Sequence, residues 1–394
     1  MKVALINSYY YPDEVGGAEV IVREQAHALS SRGYDVFVVC LGRNESIIEE
    51  DLSGIRVYRV PFSNRYWPED WASHSAADHV LWHLKDRYNR DVAGYVKDII
   101  VSERPQLAIC HNLSGLSVSV WDVLSKAGVK ILQYVHDQYL ACLKSTCFNG
   151  LDYCEKPCMK CSLAKRNARR MSSSIDGAVP VSDYVGRRLI SLGYFHNVPV
   201  KVIHNARSIS SFKPRIGGDS GFTIGYIGAV SRIKGVHVLI KAFVESGLDA
   251  KLLIAGRCVD GKYECELKSL CGDSGKVEFL GRVDSRDFYP RIDCLVVPSL
   301  WPDTFPTVAF ESCAAGVPVV ASNIGGLPEI VKEGVNGILF NPGDTAQLAG
   351  ILGRLAGDPS ILEHLSVQCR DSVAEMTDTE RMYDSLIDFI SEIC

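Results

Sequence analysis

The sequence predicts two doubly wound α/β domains joined by a linker, and three observations carry that expectation. Short β-rich apolar runs alternate with helix-length segments, the alternation stops and then restarts near residue 222, and a Ser/Gly/Pro-rich stretch without apolar periodicity lies between. The length of 394 residues suits two domains at roughly 150 residues each. Hydrophobic residues at 47% and charged residues at 23% are ordinary globular usage, and 42 basic against 47 acidic side chains leave a net charge of -5. Nothing in that balance calls for a nucleic-acid partner.

In the first half, strands are expected at residues 3–7, 35–40, 107–110 and 130–135. A helix over 17–31 places Val22, Ala26 and Leu29 at i, i+4 and i+7 and stops at Gly33. In the second half, strands are expected at 222–228, 251–256, 277–281, 294–299 and 318–322. Residues 1–207 are thus assigned to an N-terminal domain, 208–221 to the linker and 222–375 to a C-terminal domain. Residues 376–394 form a final helix with Met382, Leu386, Phe389 or Ile390, and Ile393 on one face, expected to dock on the N-terminal domain.

Cys40, Cys110, Cys294 and Cys313 sit inside apolar runs, where a free thiol packs as a small hydrophobe, so a reducing compartment is expected. The N-terminal apolar run is too short for a signal-peptide core, and no run approaches the roughly 18 apolar residues that span a bilayer. A cytoplasmic protein is the expectation, with peripheral contact at the inner face of the membrane.

Ligands of doubly wound sheets bind beyond the carboxyl ends of the strands, so the chemistry is sought in those loops. No G-x-G-x-x-G follows a strand and no P-loop exists, which argues against a dehydrogenase and a P-loop NTPase. No Asp-x-Asp pair is present to anchor a metal against a diphosphate. Gly16-Gly17-Ala18-Glu19 opens the first helix and would let a phosphate approach backbone N–H groups and the positive helix end, although a Gly-Gly turn is as often plain geometry. Residues 228–235 repeat that placement in the second half and carry Arg232 and Lys234, two cations suited to phosphate oxygens. Asp303 precedes a helix and Glu311 falls within it among Val308, Ala309, Phe310 and Cys313; a carboxylate in such surroundings needs a partner, and both can accept ligand hydroxyls.

Taken with Gly325-Gly326-Leu327-Pro328-Glu329, these elements resemble the retaining, nucleotide-sugar-dependent glycosyltransferases of family 4 over nearly the whole chain. The resemblance implies the GT-B fold, two Rossmann-like doubly wound domains facing each other across a cleft, with the acceptor on the N-terminal domain and the donor on the C-terminal one. It implies transfer of a sugar, typically a hexose, from a nucleoside diphosphate to a saccharide or lipid-linked acceptor hydroxyl, in bacterial cell-surface polysaccharide or glycolipid synthesis. No cofactor is required for that catalysis. Gly16 and Gly17 would lie against the diphosphate, Lys234 would neutralise the leaving phosphates, Asp303 would bind the donor sugar and Glu311 the ribose. Backbone around Phe305, Thr307 and Val308 would lie by the phosphates and Val283 near the base. His136 matches a histidine close to donor sugar and acceptor, and His111, Asn112 and Asp137 are further acceptor-side candidates.

Three departures stand out. Asp303 replaces the usual Glu, Ala229 the usual Arg, with Arg232 taken to reach the same phosphate, and Pro306 the usual Gly. An epimerase on the same fold and a catalytically silent sugar-nucleotide-binding subunit are the alternatives.

Cys142, Cys147, Cys154, Cys158 and Cys161 cluster between the domains' recognisable elements. A similar insert occurs in part of the family, and the resemblance matches Cys142, Cys154, Cys158 and Cys161 to a structural zinc set, leaving Cys147 spare; an iron–sulfur cluster and a metal-free loop are the other readings. Lys165, Arg166, Arg169 and Arg170, and upstream Trp67, Trp71 and Trp82, are candidates for an anionic acceptor or lipid surface, or for a solvated face and a core.

Overall fold

Val, Ile and Leu dominate the expected strands without polar alternation, the pattern of strands covered on both faces by helices, and the architecture follows from it. The computed structural model describes residues 1–13, 16–150, 153–208, 221–258, 260–272 and 275–394. The expected linker lies outside the described residues over 209–220. Two units emerge, one of residues 1–147, 154–204 and 382–394, the other of 148–153 and 205–381.

The first unit contains β1 (Lys2–Ile6), β2 (Asp35–Gly42), β3 (Ile48–Leu52), β4 (Ile55–Pro61), β5 (Leu107–Cys110), β6 (Lys130–Val135) and β7 (Gly177–Pro180). They form a seven-stranded sheet in the order β3-β4-β2-β1-β5-β6-β7. The pairs are parallel except β3 with β4. The chain leaves β1 toward β2 on one side and returns to β5 on the other, which places the switch of strand order at β1 and β5. The helix Gly17–Ser31 buries Val22, Ala26 and Leu29, as its periodicity predicts. The final helix, Thr379–Ile393, buries Met382, Leu386, Phe389 and Ile390, and Phe389 and Ile393 close over Gly177 of β7. A Cβ at Gly177 would stand 3.2 Å from Phe389 and 3.3 Å from Ile393, so the glycine admits the helix.

The second unit contains β8 (Phe222–Ile227), β9 (Ala250–Ala255), β10 (Val277–Gly281), β11 (Cys294–Val297), β12 (Val319–Ser322) and β13 (Gly337–Phe340). The sheet order is β10-β9-β8-β11-β12-β13, with parallel pairs and the switch at β8 and β11. Its core joins Ile224, Leu252, Ile254 and Val296 to Leu239 and Phe243 of the helix Val236–Ser246.

Four strands escape sequence reading. β3 is Ile-Glu-Glu-Asp-Leu, a charged edge strand, and carboxylates on an edge discourage pairing with another chain. β4 follows it across a turn at Gly54, and β7 and β13 have four residues each.

Gly235 has φ +71°, and a Cβ there would stand 1.8 Å from the carbonyl oxygen of Pro298. Gly235→Ala is expected to cost on the order of 1–3 kcal/mol through backbone strain and enforced separation of the two loops. A thermal melt equal to that of the parent chain overturns this.

Candidate active site

At the switch of the second sheet, the loops after β8 and β11 lie side by side because their strands pair at Cys294–Ile224 and Leu295–Gly225. The amide of Leu300 donates to the carbonyl of Ile233 at 2.8 Å, and the missing side chain of Gly235 lets the backbones touch. This proximity brings Lys234 Nζ onto Asp303 Oδ2, with the ammonium also 5.3 Å from the centre of the Trp301 ring. Asp303 is buried, and burying a carboxylate calls for a paired cation. Beneath the same loop, Gly326 N donates to Asp303 O at 2.7 Å, and side chains at Gly325 or Gly326 would strike the carbonyls of Asp303 or Thr304 at 2.3 and 2.0 Å. The Gly-Gly pair therefore supports the Asp303 loop. Ser299 Oγ and Trp301 Nε1 are buried in this loop without a hydrogen-bond partner among the described residues, polar capacity that a ligand or water can satisfy.

Glu311 lies one turn into the helix Thr307–Ala314 and is buried. Its carboxylate accepts from Arg207 Nη1 at 2.7 Å and from Tyr289 Oη at 3.2 Å. Burial and the adjacent carboxylate push the Tyr289 hydroxyl well above its usual range, so it stays a donor. The structure thus unites Lys234 with Asp303, and gives Glu311 partners of its own. Arg207 and Tyr289 were missed by sequence reading, and neither carries a sequence signal: one follows an irregular segment and the other sits in a short 3₁₀ turn.

Arg232 lies apart from that pair. Its guanidinium binds Glu266 and stacks over Tyr263, both on the helix Gly261–Leu270. Phe305 is buried, while Thr307, Val308 and Val283 are half-buried.

In the first unit, Gly16 caps the helix Gly17–Ser31, and its amide donates to Glu19 Oε2 at 2.7 Å. Among the described residues, a Cβ at Gly17 would meet nothing within 4 Å. His111 follows β5 and His136 follows β6. His111 Nε2 is 2.8 Å from Gln25 Oε1 and its Nδ1 is 2.9 Å from His136 Nε2. The Gln25 carbonyl accepts from Nε2–H of His111, which leaves Nδ1 of His111 to accept from Nε2–H of His136. His136 then presents Nδ1 as its acceptor nitrogen. Burial lowers the pKa of His136 to about 4 and that of His111 well below the usual value, with His136 adding to the latter. Asp137 accepts from Tyr139 N at 2.7 Å and lies 3.5 Å from Asn112 Nδ2; burial raises its pKa to about 6.

The five clustered thiols are arranged differently from the expected set. Cys147 is not spare: Cys142, Cys147 and Cys161 are buried together, with Cys154 packed against them and Cys158 exposed. Backbone amides of Cys147 and Leu143 donate to the sulfurs of Cys142 and Cys161 at 3.3 and 3.5 Å. Among the described residues, no three Cys, His, Asp or Glu side chains converge as a metal site. The donor chemistry suits zinc.

Two parallel-sheet Rossmann-like units with phosphate-suited loops at their switch points define the class of the GT-B glycosyltransferases, and solved structures agree. Sucrose-phosphate synthase from Thermosynechococcus elongatus matches with a TM-score of 0.79 at 19% identity, over 99% of this chain and 98% of that one. Anabaena HepE, solved with UDP and glucose, matches with a TM-score of 0.74 at 20% identity, over 99% of each chain. Residues 15–210 match the sequence profile of Glycosyltransferase Family 4, residues 221–358 match that of Glycosyl transferases group 1, and the chain belongs to this family of enzymes. A Klebsiella pneumoniae protein described as an uncharacterized 42.6 kDa protein in the cps region is 28% identical over 84% of this chain and 88% of its own. The D-inositol 3-phosphate glycosyltransferase of Mycolicibacterium vanbaalenii is 26% identical over 90% and 81%. Among the described residues, no helix is long and apolar enough to cross a membrane.

The buried imidazoles make stability depend on pH. On unfolding they regain values near 6.5, so the unfolded chain binds protons that the folded chain refuses as pH falls from about 6.5 toward 4, and stability drops there. Asp137 acts oppositely between about 6 and 3.8, since its folded carboxyl holds a proton more readily than the unfolded one. His136→Gln is expected to flatten the acid-side fall in Tm over that window, and an unchanged slope overturns the assignment.

Proposed function

We propose that the chain is a retaining glycosyltransferase that moves a sugar from a nucleoside diphosphate to a hydroxyl of a saccharide or lipid-linked acceptor, in the synthesis of a cell-surface polysaccharide or glycolipid. The observation that carries this reading is the Lys234–Asp303 pair at the switch of the second sheet. A diphosphate offers the ammonium another anion, and Asp303 is then released to accept a donor-sugar hydroxyl. Glu311 has acceptor capacity beyond its two present bonds, enough for a ribose hydroxyl. Gly17, where an added Cβ would meet no atom within 4 Å among the described residues, suits close approach of a phosphate to the helix N-terminus.

In the proposed step the bond from the anomeric carbon to the diphosphate oxygen breaks, and a bond to the acceptor oxygen forms on the same face. The acceptor proton passes to the leaving phosphate, so no strongly basic side chain is needed. Lys234 stabilises the charge that develops on that phosphate. His136, neutral and held by His111, positions the reacting hydroxyls. The Klebsiella relative's description places it in a cps region, which favours a polysaccharide acceptor.

A panel of nucleotide sugars tests the reading. Transfer or slow hydrolysis of one donor supports it, formation of an epimer favours an epimerase, and tight binding without turnover favours a silent subunit. Glu311→Gln, which keeps the shape of the side chain, is expected to weaken nucleotide binding by about 1–3 kcal/mol, and unchanged affinity counts against its ribose role.

Catalysis is proposed to need no metal, while Cys142, Cys154, Cys158 and Cys161 are proposed as the thiolate set of one structural zinc. Metal analysis of protein purified without chelator reads this: one zinc per chain supports it, and none overturns it.

A further inference from the structure

The helix Met159–Ala164 continues through Lys165 into the helix Arg166–Met171. Lys165 N donates to Cys161 O at 2.9 Å and Arg169 N to Lys165 O at 3.0 Å, so the backbone ladder runs across the joint and the two pieces share one inner and one outer face. Cys161, Lys165 and Ala168 point inward and are buried. Lys165, expected from the sequence among the outward cations, lies 3.5 Å from the centre of the Tyr139 ring and 3.9 Å from Asp86. The outer face carries Met159, 85% exposed, and Leu163, 62% exposed, followed by exposed Arg166 and Arg170 at i+7 and i+11 from Met159. No carboxylate occurs in the sequence between Glu155 and Asp176. Among the described residues none pairs with Lys160, Arg166, Arg169 or Arg170.

A neighbouring helix, Ala76–Asp86, is tied to this one by the Asp86–Lys165 contact and by Arg87 Nη2 donating to Asn167 Oδ1 at 3.2 Å. It also leaves large apolar side chains in water, with Val80, Leu81 and Leu84 45–60% exposed. Trp82, a sequence candidate for lipid contact, is instead buried and donates to Tyr66 O at 2.9 Å. Trp67 stacks on Phe62, and Trp71 stacks on His79.

We propose that the outer face of residues 159–171, together with the exposed side of the helix Ala76–Asp86, docks on an anionic lipid bilayer. The charge argument is local: the chain is acidic overall, yet this helix presents unpaired cations alone. Lys and Arg beside a bilayer attract anionic headgroups, while outward Met and Leu side chains enter the acyl boundary. A polyanion such as nucleic acid would use the arginines but gains nothing from Met159 and Leu163. This surface stands independently of the donor reading, because binding is measured without any sugar nucleotide.

The test is co-sedimentation of the full chain with vesicles of phosphatidylcholine, alone or with about one-third phosphatidylglycerol. Binding to the anionic vesicles alone, falling as salt rises, is expected. Arg166→Glu with Arg170→Glu is expected to reduce it at least about tenfold. Met159→Ser with Leu163→Ser is expected to weaken it with its salt dependence retained. These residues are exposed, so a Tm equal to that of the parent chain serves as the folding control. Absence of binding to anionic vesicles, indifference to both double variants, or retention on duplex DNA at least as strong and unaffected by the serine pair overturns the proposal.

Discussion

The ion pair of Lys234 and Asp303 is the interaction on which the second unit's site depends. A buried carboxylate without a cation is costly, and the pair survives burial only because backbone brings the two loops into contact. Three glycines provide that contact: Gly235 against Pro298, and Gly325 with Gly326 beneath Asp303 and Thr304. What reads in sequence as scattered Gly signals is one packing requirement seen from three positions. Each of the three cations has a carboxylate partner in the fold, with Lys234 on Asp303, Arg207 on Glu311 and Arg232 on Glu266.

The first unit follows a different rule, since its polar centre is neutral. Gln25, His111 and His136 form a chain in which each hydrogen bond sets the tautomer of the next ring. Burial keeps both imidazoles uncharged, so the chain orients a hydrogen-bonding nitrogen without adding positive charge near the sheet. A neutral orienting group suits chemistry in which the leaving phosphate takes the proton.

The two-sheet architecture was legible because covered parallel strands are continuous apolar runs, as in residues 3–6 and 294–297, and because helix periodicity is strong at Val22, Ala26 and Leu29. Lys234, Asp303 and Glu311 could be picked out because doubly wound sheets keep polar chemistry beyond strand ends, and His136 through the family resemblance. Their partners could not. Arg207 and Tyr289 reach Glu311 from segments 104 and 22 residues away, and only the fold supplies such proximity. Burial of Lys165 and Trp82 was likewise invisible, since a cation in a basic run and a tryptophan among aromatics look the same whether they face water or core.

The final helix returns to the first unit, where Phe389 and Ile393 cover Gly177. A ribosome makes residues 1–204 well before that cover exists, so β7 stays uncapped until residues 379–393 have been translated. The second unit has all its strands by then. Completion of the fold is therefore out of order with synthesis: the portion made first is the portion sealed last.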